Sequence, residues 1–465
     1  MHPRLRRVLL AATALAVALP GTALAHDEDH PGRYIPSPES ASHNLKLLAS
    51  SDKTAVAPTY RNSDLAFKGD LVFAGNYEGF RVLDVSEPES PRVLADVPCA
   101  GAQHDVSVHG DLLFLSVDAP RTAPGCDSAP VATGAPGWEG IRIFDVSDPR
   151  SPVYRGAVAT DCGSHTHTLV PQTDRALLYV SSYPAGNLGT SPYGNSCART
   201  TADGGQGHSK MSIVSVPLAA PERAEVVAQP QFELKDFNRL AGFRGCHDVT
   251  VFTGLQRAAA ACLSEAQIWD ISDPLKPTTL ARVHNPHVQI WHSAAFTWDG
   301  KVVALGDEAG GGGAPFCRAR DASTVGAMWF YDLASLRTTD ATTQATPLGH
   351  WKTPRVQGDA ANCTTHNFNI LPVAGRYVAV ASSYSAGTSV VDFTDPARAV
   401  EVAHNDPHGA NTWSSYWHDG FVYTNDSGRG VGVMLFSDRL RAGVRKLGVQ
   451  NPQTQQELVL PSARG

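Results

Sequence analysis

Apolar residues in this chain fall in short runs broken by Gly, Pro, Asp and Ser, and within the runs they tend to alternate with polar ones instead of recurring at helical spacing. "HDVSVHGDLLFLS" from His104 is the type: two β-branched and aromatic stretches joined by a Gly-Asp turn, as a hairpin requires. "HNFNILPVAGRYVAVASS" from His366 repeats it. A second pattern stands between the hairpins. "FRVLDVSEPESP" from Phe80, "IRIFDVSDPRSP" from Ile141, "AQIWDISDPLKP" from Ala266 and "SVVDFTDPARAV" from Ser389 each read as a strand, an Asp, and a turn closed by Pro. In that turn the Asp and Ser/Thr side chains satisfy turn amides and Pro fixes φ. Weaker copies begin at Lys210, Met328 and Val433, which makes seven.

Each unit therefore reads strand A, tight turn, strand B, variable loop, strand C, Pro turn, strand D. The shortest interval, from Asp392 to Ser437, is 45 residues and matches one four-stranded propeller blade. The expected fold is all-β: a seven-bladed β-propeller of four-stranded antiparallel blades over residues 43–448, with a C-terminal tail at 449–465. "HNLKLLAS" from His43 precedes the first strand A as a strand D precedes every later one, so Leu45 to Ala49 is expected to complete the last blade. The alternative is that "VRKLGV" from Val444 supplies that strand.

"FRVLDVSEP", "IRIFDVSDP" and "AQIWDISDP" resemble the LVIVD-repeat proteins, over roughly Asp64 to Gly448. The resemblance implies a β-propeller that is exported or held at the surface of a bacterium or archaeon. It implies no particular activity, because the family has no general biochemical role.

Aligning the seven A strands on their turns places one residue of each blade at a common position: Ser63, His104, His167, His247, His292, His366 and Trp413. Strand A is the innermost of a blade and this is its first residue, so the five histidines are expected around one mouth of the central channel. His165 shares the strand parity of His167 and faces the same mouth. The ends of the B strands add Asn76, Asp118, Tyr183, Glu265, Asp307, Glu308, Tyr384 and Asp426. Several imidazoles with a few carboxylates suit a transition metal, zinc or copper, and not calcium, which takes an all-oxygen shell. Asp307 and Glu308 are the candidate acid-base groups, and Ser63 and Trp413 leave an open side for a ligand. The plainer alternative is a framework histidine that hydrogen-bonds a neighbouring loop, as in WD-repeat propellers, although no fixed partner recurs with it from blade to blade.

The eight cysteines are expected at the same mouth as four staples: Cys99–Cys126, Cys162–Cys197, Cys246–Cys262 and Cys317–Cys363. They would hold the long loops Ala119 to Trp138, Pro184 to Ser209 and Ala309 to Val325, where recognition is expected. Cysteine pairing of this kind belongs to an oxidising compartment. Arg4, Arg6 and Arg7 before the apolar run Val8 to Leu19, with Ala23-Leu24-Ala25 after it, read as a signal peptide of residues 1–25, and 26–42 ("HDEDH" first) as a flexible acidic leader. The Arg6-Arg7 pair also fits twin-arginine export. Loss of three arginines takes the net charge from −7 to −10, which argues against a nucleic-acid partner. No later segment offers the roughly 20 apolar residues of a membrane span.

Three function classes follow. The first is an extracellular binding or scaffold protein, monomeric, holding a protein, glycan or small molecule, with the histidine-ring metal site at one mouth. The second is a zinc- or copper-dependent oxidase or hydrolase using that ring. The third is metal storage or sensing. No serine nucleophile elbow, phosphate-binding glycine loop or H-E-x-x-H motif is present.

Overall fold

A computed structural model of the chain describes residues 40–51, 61–131, 137–183, 207–235, 237, 244–318, 320–336, 345–456 and 459–462. The strands form seven sheets, six of them built on four consecutive antiparallel strands of one blade and the seventh on three, so the fold is an all-β, seven-bladed propeller. The A strands are Asn62–Lys68, Val106–His109, Thr166–Pro171, Val249–Phe252, Trp291–Phe296, Phe368–Ile370 and Thr412–His418, for blades 1 to 7. Blade 7 has only three strands of its own in sequence order. Its fourth is Leu45–Ser51, which pairs antiparallel with strand C, Gly430–Phe436, so the two ends of the ring are sewn within one blade. "VRKLGV" takes no part in that pairing, and residues 1–39, on which the expected signal peptide and most of the expected leader fall, lie outside the described residues.

The repeat chemistry is visible in the turns. Asp84, Asp145, Asp270 and Asp392 each accept the backbone N–H two residues on, from Ser86, Ser147, Ser272 and Thr394, at 2.8 to 3.0 Å. Three residues before each of these aspartates strand C carries a polar side chain, Arg81, Arg142, Gln267 or Ser389, all buried. Arg142 shows what that position does. It donates to the carbonyls of Cys99, Ala100, Pro124 and Gly125, tying together the two loops that Cys99–Cys126 also joins.

Because side chains alternate across a strand and both faces of a blade meet a neighbour, the apolar core is divided into layers between blades. Between blades 3 and 4 Phe232 stacks on Trp269 at 4.0 Å, and between blades 5 and 6 Phe330 stacks on Phe393 at 4.4 Å.

The innermost strands leave one backbone edge facing the channel, whose N–H and C=O groups need partners. At the mouth opposite the A-strand starts, the chain after Gly448 provides them. Val449–Gln450 pairs with Phe67 and Lys68 of blade 1, and Thr454–Gln455 pairs in parallel with Val251 and Phe252 of blade 4. Between and beside these pairings, amide side chains behave like strand backbone. Asn451 accepts from the Val108 N–H at 2.7 Å and donates to the Val108 carbonyl at 2.9 Å; Gln455 does the same at Phe296, both at 2.8 Å. Gln450 donates to the Trp417 carbonyl and Thr454 to that of Leu169. Six of the seven inner strands are therefore touched near their C-terminal ends by one short segment.

Candidate metal centre

At the other mouth the A strands begin, and their first residues converge. His165, His247 and His366 occupy one structural position: each donates its backbone N–H to a carbonyl at the end of the paired B strand, from Ser181, Ala261 and Ser382. Counting back from the hairpin turns selects His167 instead of His165, because the A strand of blade 3 has six residues and that of blade 4 has four. His292 follows from blade 5. The rings form a continuous arc, with centroids 4.4 Å apart for His165 and His247, 3.9 Å for His247 and His292, and 4.3 Å for His292 and His366. All four are buried.

Their ring nitrogens are ordered from behind. His165 Nδ1 lies 2.8 Å from Asp118 Oδ2, His247 Nδ1 is 3.0 Å from Asp248 Oδ1, and His366 Nδ1 donates to the Trp413 carbonyl at 2.5 Å. A ring whose Nδ1 carries the proton presents a bare Nε2 lone pair, which is how histidine ligands of metals are commonly oriented. His165 Nε2 and His247 Nε2 approach to 2.9 Å, so two lone pairs meet unless a proton or a cation accompanies them. His292 has a buried Nδ1 without a hydrogen-bond partner, while its Nε2 is 3.8 Å from Glu308 Oε2. His366 Nε2 is 3.8 Å from Glu308 Oε1, and Tyr384 donates its hydroxyl to the same carboxyl. Two sets, His247–Asp248–His292 and His292–Glu308–His366, each bring their ligand atoms within 4.8 Å of one another.

Burial sets the charge state. It drives His247 and His292 well below the usual imidazole range and His366 down to about 3, with the neighbouring histidines pushing the same way. The same burial pushes Glu308 and Asp248 up to about 8. Neutral, buried imidazoles are good ligands for zinc, copper or iron.

The remaining sequence candidates are placed as follows. His104 donates Nδ1–H to the Asn76 carbonyl and packs against Gly101, where a Cβ would come within 2.6 Å of Nε2. His167 has both nitrogens occupied by Ser107 and Ser116, at 2.6 and 2.8 Å, and lies outside the arc. Asp307 accepts the backbone N–H groups of Gln289, Ile290 and Gly326, and Asp426 those of Asn411 and Gly428, so both pin loops. Glu265 pairs with Arg282 at 2.7 Å. Ser63 donates to the His104 carbonyl. Tyr183 packs on His165 and His247, and Trp413 meets His366 edge-on at 4.7 Å. Asp248 was not singled out from sequence, although the acid follows the histidine in both "QHDVS" and "CHDVT". Around this face Cys99–Cys126, Cys246–Cys262 and Cys317–Cys363 are bonded as expected; Cys162 is also disulfide-bonded, and its expected partner Cys197 falls outside the described residues. No helix among the described residues is long and apolar enough to cross a membrane.

No curated protein matches this chain. Among solved structures, the computationally designed Ika8 protein aligns with 84% of this chain and 99% of its own, at 10% identity and a TM-score of 0.44. The LVIVD repeat family matches residues 135–160, the stretch that holds strand C of blade 2 and its Asp-Pro turn. The chain thus carries an LVIVD repeat within a seven-bladed β-propeller, four of whose blades close on the same Asp turn.

Proposed function

We propose that this protein is an exported propeller that binds a transition metal, zinc or copper, at the mouth where the A strands begin, and uses the disulfide-held loops around it to recognise a small molecule, protein or glycan. One observation supports the metal above all: four buried imidazoles from consecutive blades lie in contact, three of them with Nδ1 held by Asp118, Asp248 or the Trp413 carbonyl. His167, outside the arc, has serine partners for both nitrogens. The arc instead leaves Nε2 atoms facing each other and Glu308. The arginine-led apolar start and the disulfides support export, with cleavage after Ala25.

The test is metal analysis of the protein purified from its exported form, together with a His247→Ala/His292→Ala double variant. Stoichiometric zinc or copper in the native protein, background content in the variant, and a melting temperature raised by added metal are expected. Binding at a thousandfold excess over Kd would stabilise the fold by about 4 kcal/mol. No stoichiometric metal and no thermal shift would leave the histidines as framework residues. A metalloenzyme is the second reading, favoured by Glu308: a carboxyl pushed up to about 8, facing two imidazoles, is suited to move a proton near neutral pH. That reading requires a turnover that Glu308→Gln abolishes while at least one metal equivalent stays bound.

A further inference from the structure

The two ligand sets have one member in common. His247, Asp248 and His292 make the first, His292, Glu308 and His366 the second, and in each the ligand atoms lie within 4.8 Å of one another. A single imidazole can serve both because its two nitrogens point in different directions. His292 Nε2 faces the second set, 3.8 Å from Glu308 Oε2. Its Nδ1 is buried and meets no hydrogen-bond partner, a costly arrangement for a polar atom unless a ligand completes it. On the side of the first set, His165 Nε2 stands 2.9 Å from His247 Nε2, so a third imidazole is available there.

We infer that the mouth holds two transition-metal ions rather than one, bridged by the imidazole ring of His292. This rests on the metal-centre reading above. The first ion is held by His165, His247 and one nitrogen of His292, with Asp248 beside them. The second is held by the other nitrogen of His292, His366 and Glu308, with Tyr384 fixing the carboxylate. Bridging requires the His292 ring to give up its remaining proton, which passes to solvent as the second ion enters. His292 suits the role because no protein group competes for its Nδ1, whereas His165, His247 and His366 each have that nitrogen engaged. Glu308 reaches only the second set, so the two ions have separable ligands.

The experiment is a copper(II) titration of the full-length mature protein, followed by metal analysis after gel filtration and by electron paramagnetic resonance. Two equivalents are expected to bind. The signal should grow with the first and then fall well below the total copper with the second, because spins joined through an imidazolate couple. Glu308→Gln should retain one equivalent with full signal intensity, and His292→Ala should lose the coupling at any loading. Because His292→Ala removes a buried ring, its fold is checked by circular dichroism, and Glu308→Gln carries the test alone if that variant does not fold. Saturation at one equivalent, or two equivalents with undiminished spin, would overturn the bridged pair and leave the metal-centre reading intact. No retained copper at all would remove the reading beneath it.

Discussion

At the scale of single residues, Glu308 and Asp307 are neighbours in sequence with opposite occupations. Asp307 is saturated by three backbone amides, whereas Glu308 faces two imidazoles and one tyrosine. Asp307→Asn is expected to lower stability by about 1–3 kcal/mol, because its new amide hydrogens would face the Gly326 N–H, while metal content stays unchanged. Urea melts and metal analysis of the same preparation check both halves. Glu308 carries a pH dependence. Burial pushes it up to about 8, so below that value a metal ion must displace a proton from it, and affinity should rise with pH and level off above about 8. His247 and His366, pushed the other way, stay neutral throughout and add no slope, whereas the proton that His292 releases as a second ion enters adds a rise of its own that continues beyond that value. Competition titrations from about pH 6 to about pH 9 read this, and Glu308→Gln should lose part of the slope while the share from Asp248 remains. A flat profile in the unaltered protein would exclude both carboxyls as participants. Sequence puts the histidines at or just before the A strands as a class, because the Asp-Pro turns fix the repeat. It could not choose between His165 and His167, since the choice depends on strand length and not on residue type.

At the scale of elements, the strand-turn unit was legible because its chemistry is local. An Asp that accepts the N–H two residues on acts within four residues of sequence, and the same solution recurs at Asp84, Asp145 and Asp270. These hydrogen bonds to the following Ser hold all three carboxyls below the usual range. A depressed carboxyl contributes stability above its unfolded pKa of about 4 and loses it as pH falls through the folded value. Denaturant midpoints measured between about pH 5 and about pH 2 should therefore decline less steeply in an Asp84→Asn/Asp145→Asn/Asp270→Asn variant, which starts lower at pH 7. Equal slopes would mean the turns are held by Pro and backbone alone. The disulfides were legible for a related reason: each described pair joins segments at one mouth, two loops or, for Cys246–Cys262, a loop and a B-strand end, and the repeat already fixes which segments those are.

At the scale of the whole molecule, the segment after Gly448 was opaque. Read as sequence, "VQNPQTQQ" has no strand period and looks like a polar tail. Its placement depends on six inner strands brought together from across the chain, information that no local pattern carries. A chain ending at Gly448 should still close its ring through Leu45–Ser51, with unchanged circular dichroism. Hydrogen exchange should quicken at the amides of Val108, Val251 and Phe296, which then lose their partners. Unchanged protection at those three would show that the segment is not needed to order the inner strands. What this segment does goes beyond holding strands. Asn451, Thr454 and Gln455 find their partners on blades 2, 3 and 5, and Gln450 on blade 7, so the full set of bonds exists only when those blades already stand in a circle. The segment thus reads out ring closure: a chain with one blade missing or misplaced would leave part of Gln450, Asn451, Thr454 and Gln455 unmatched.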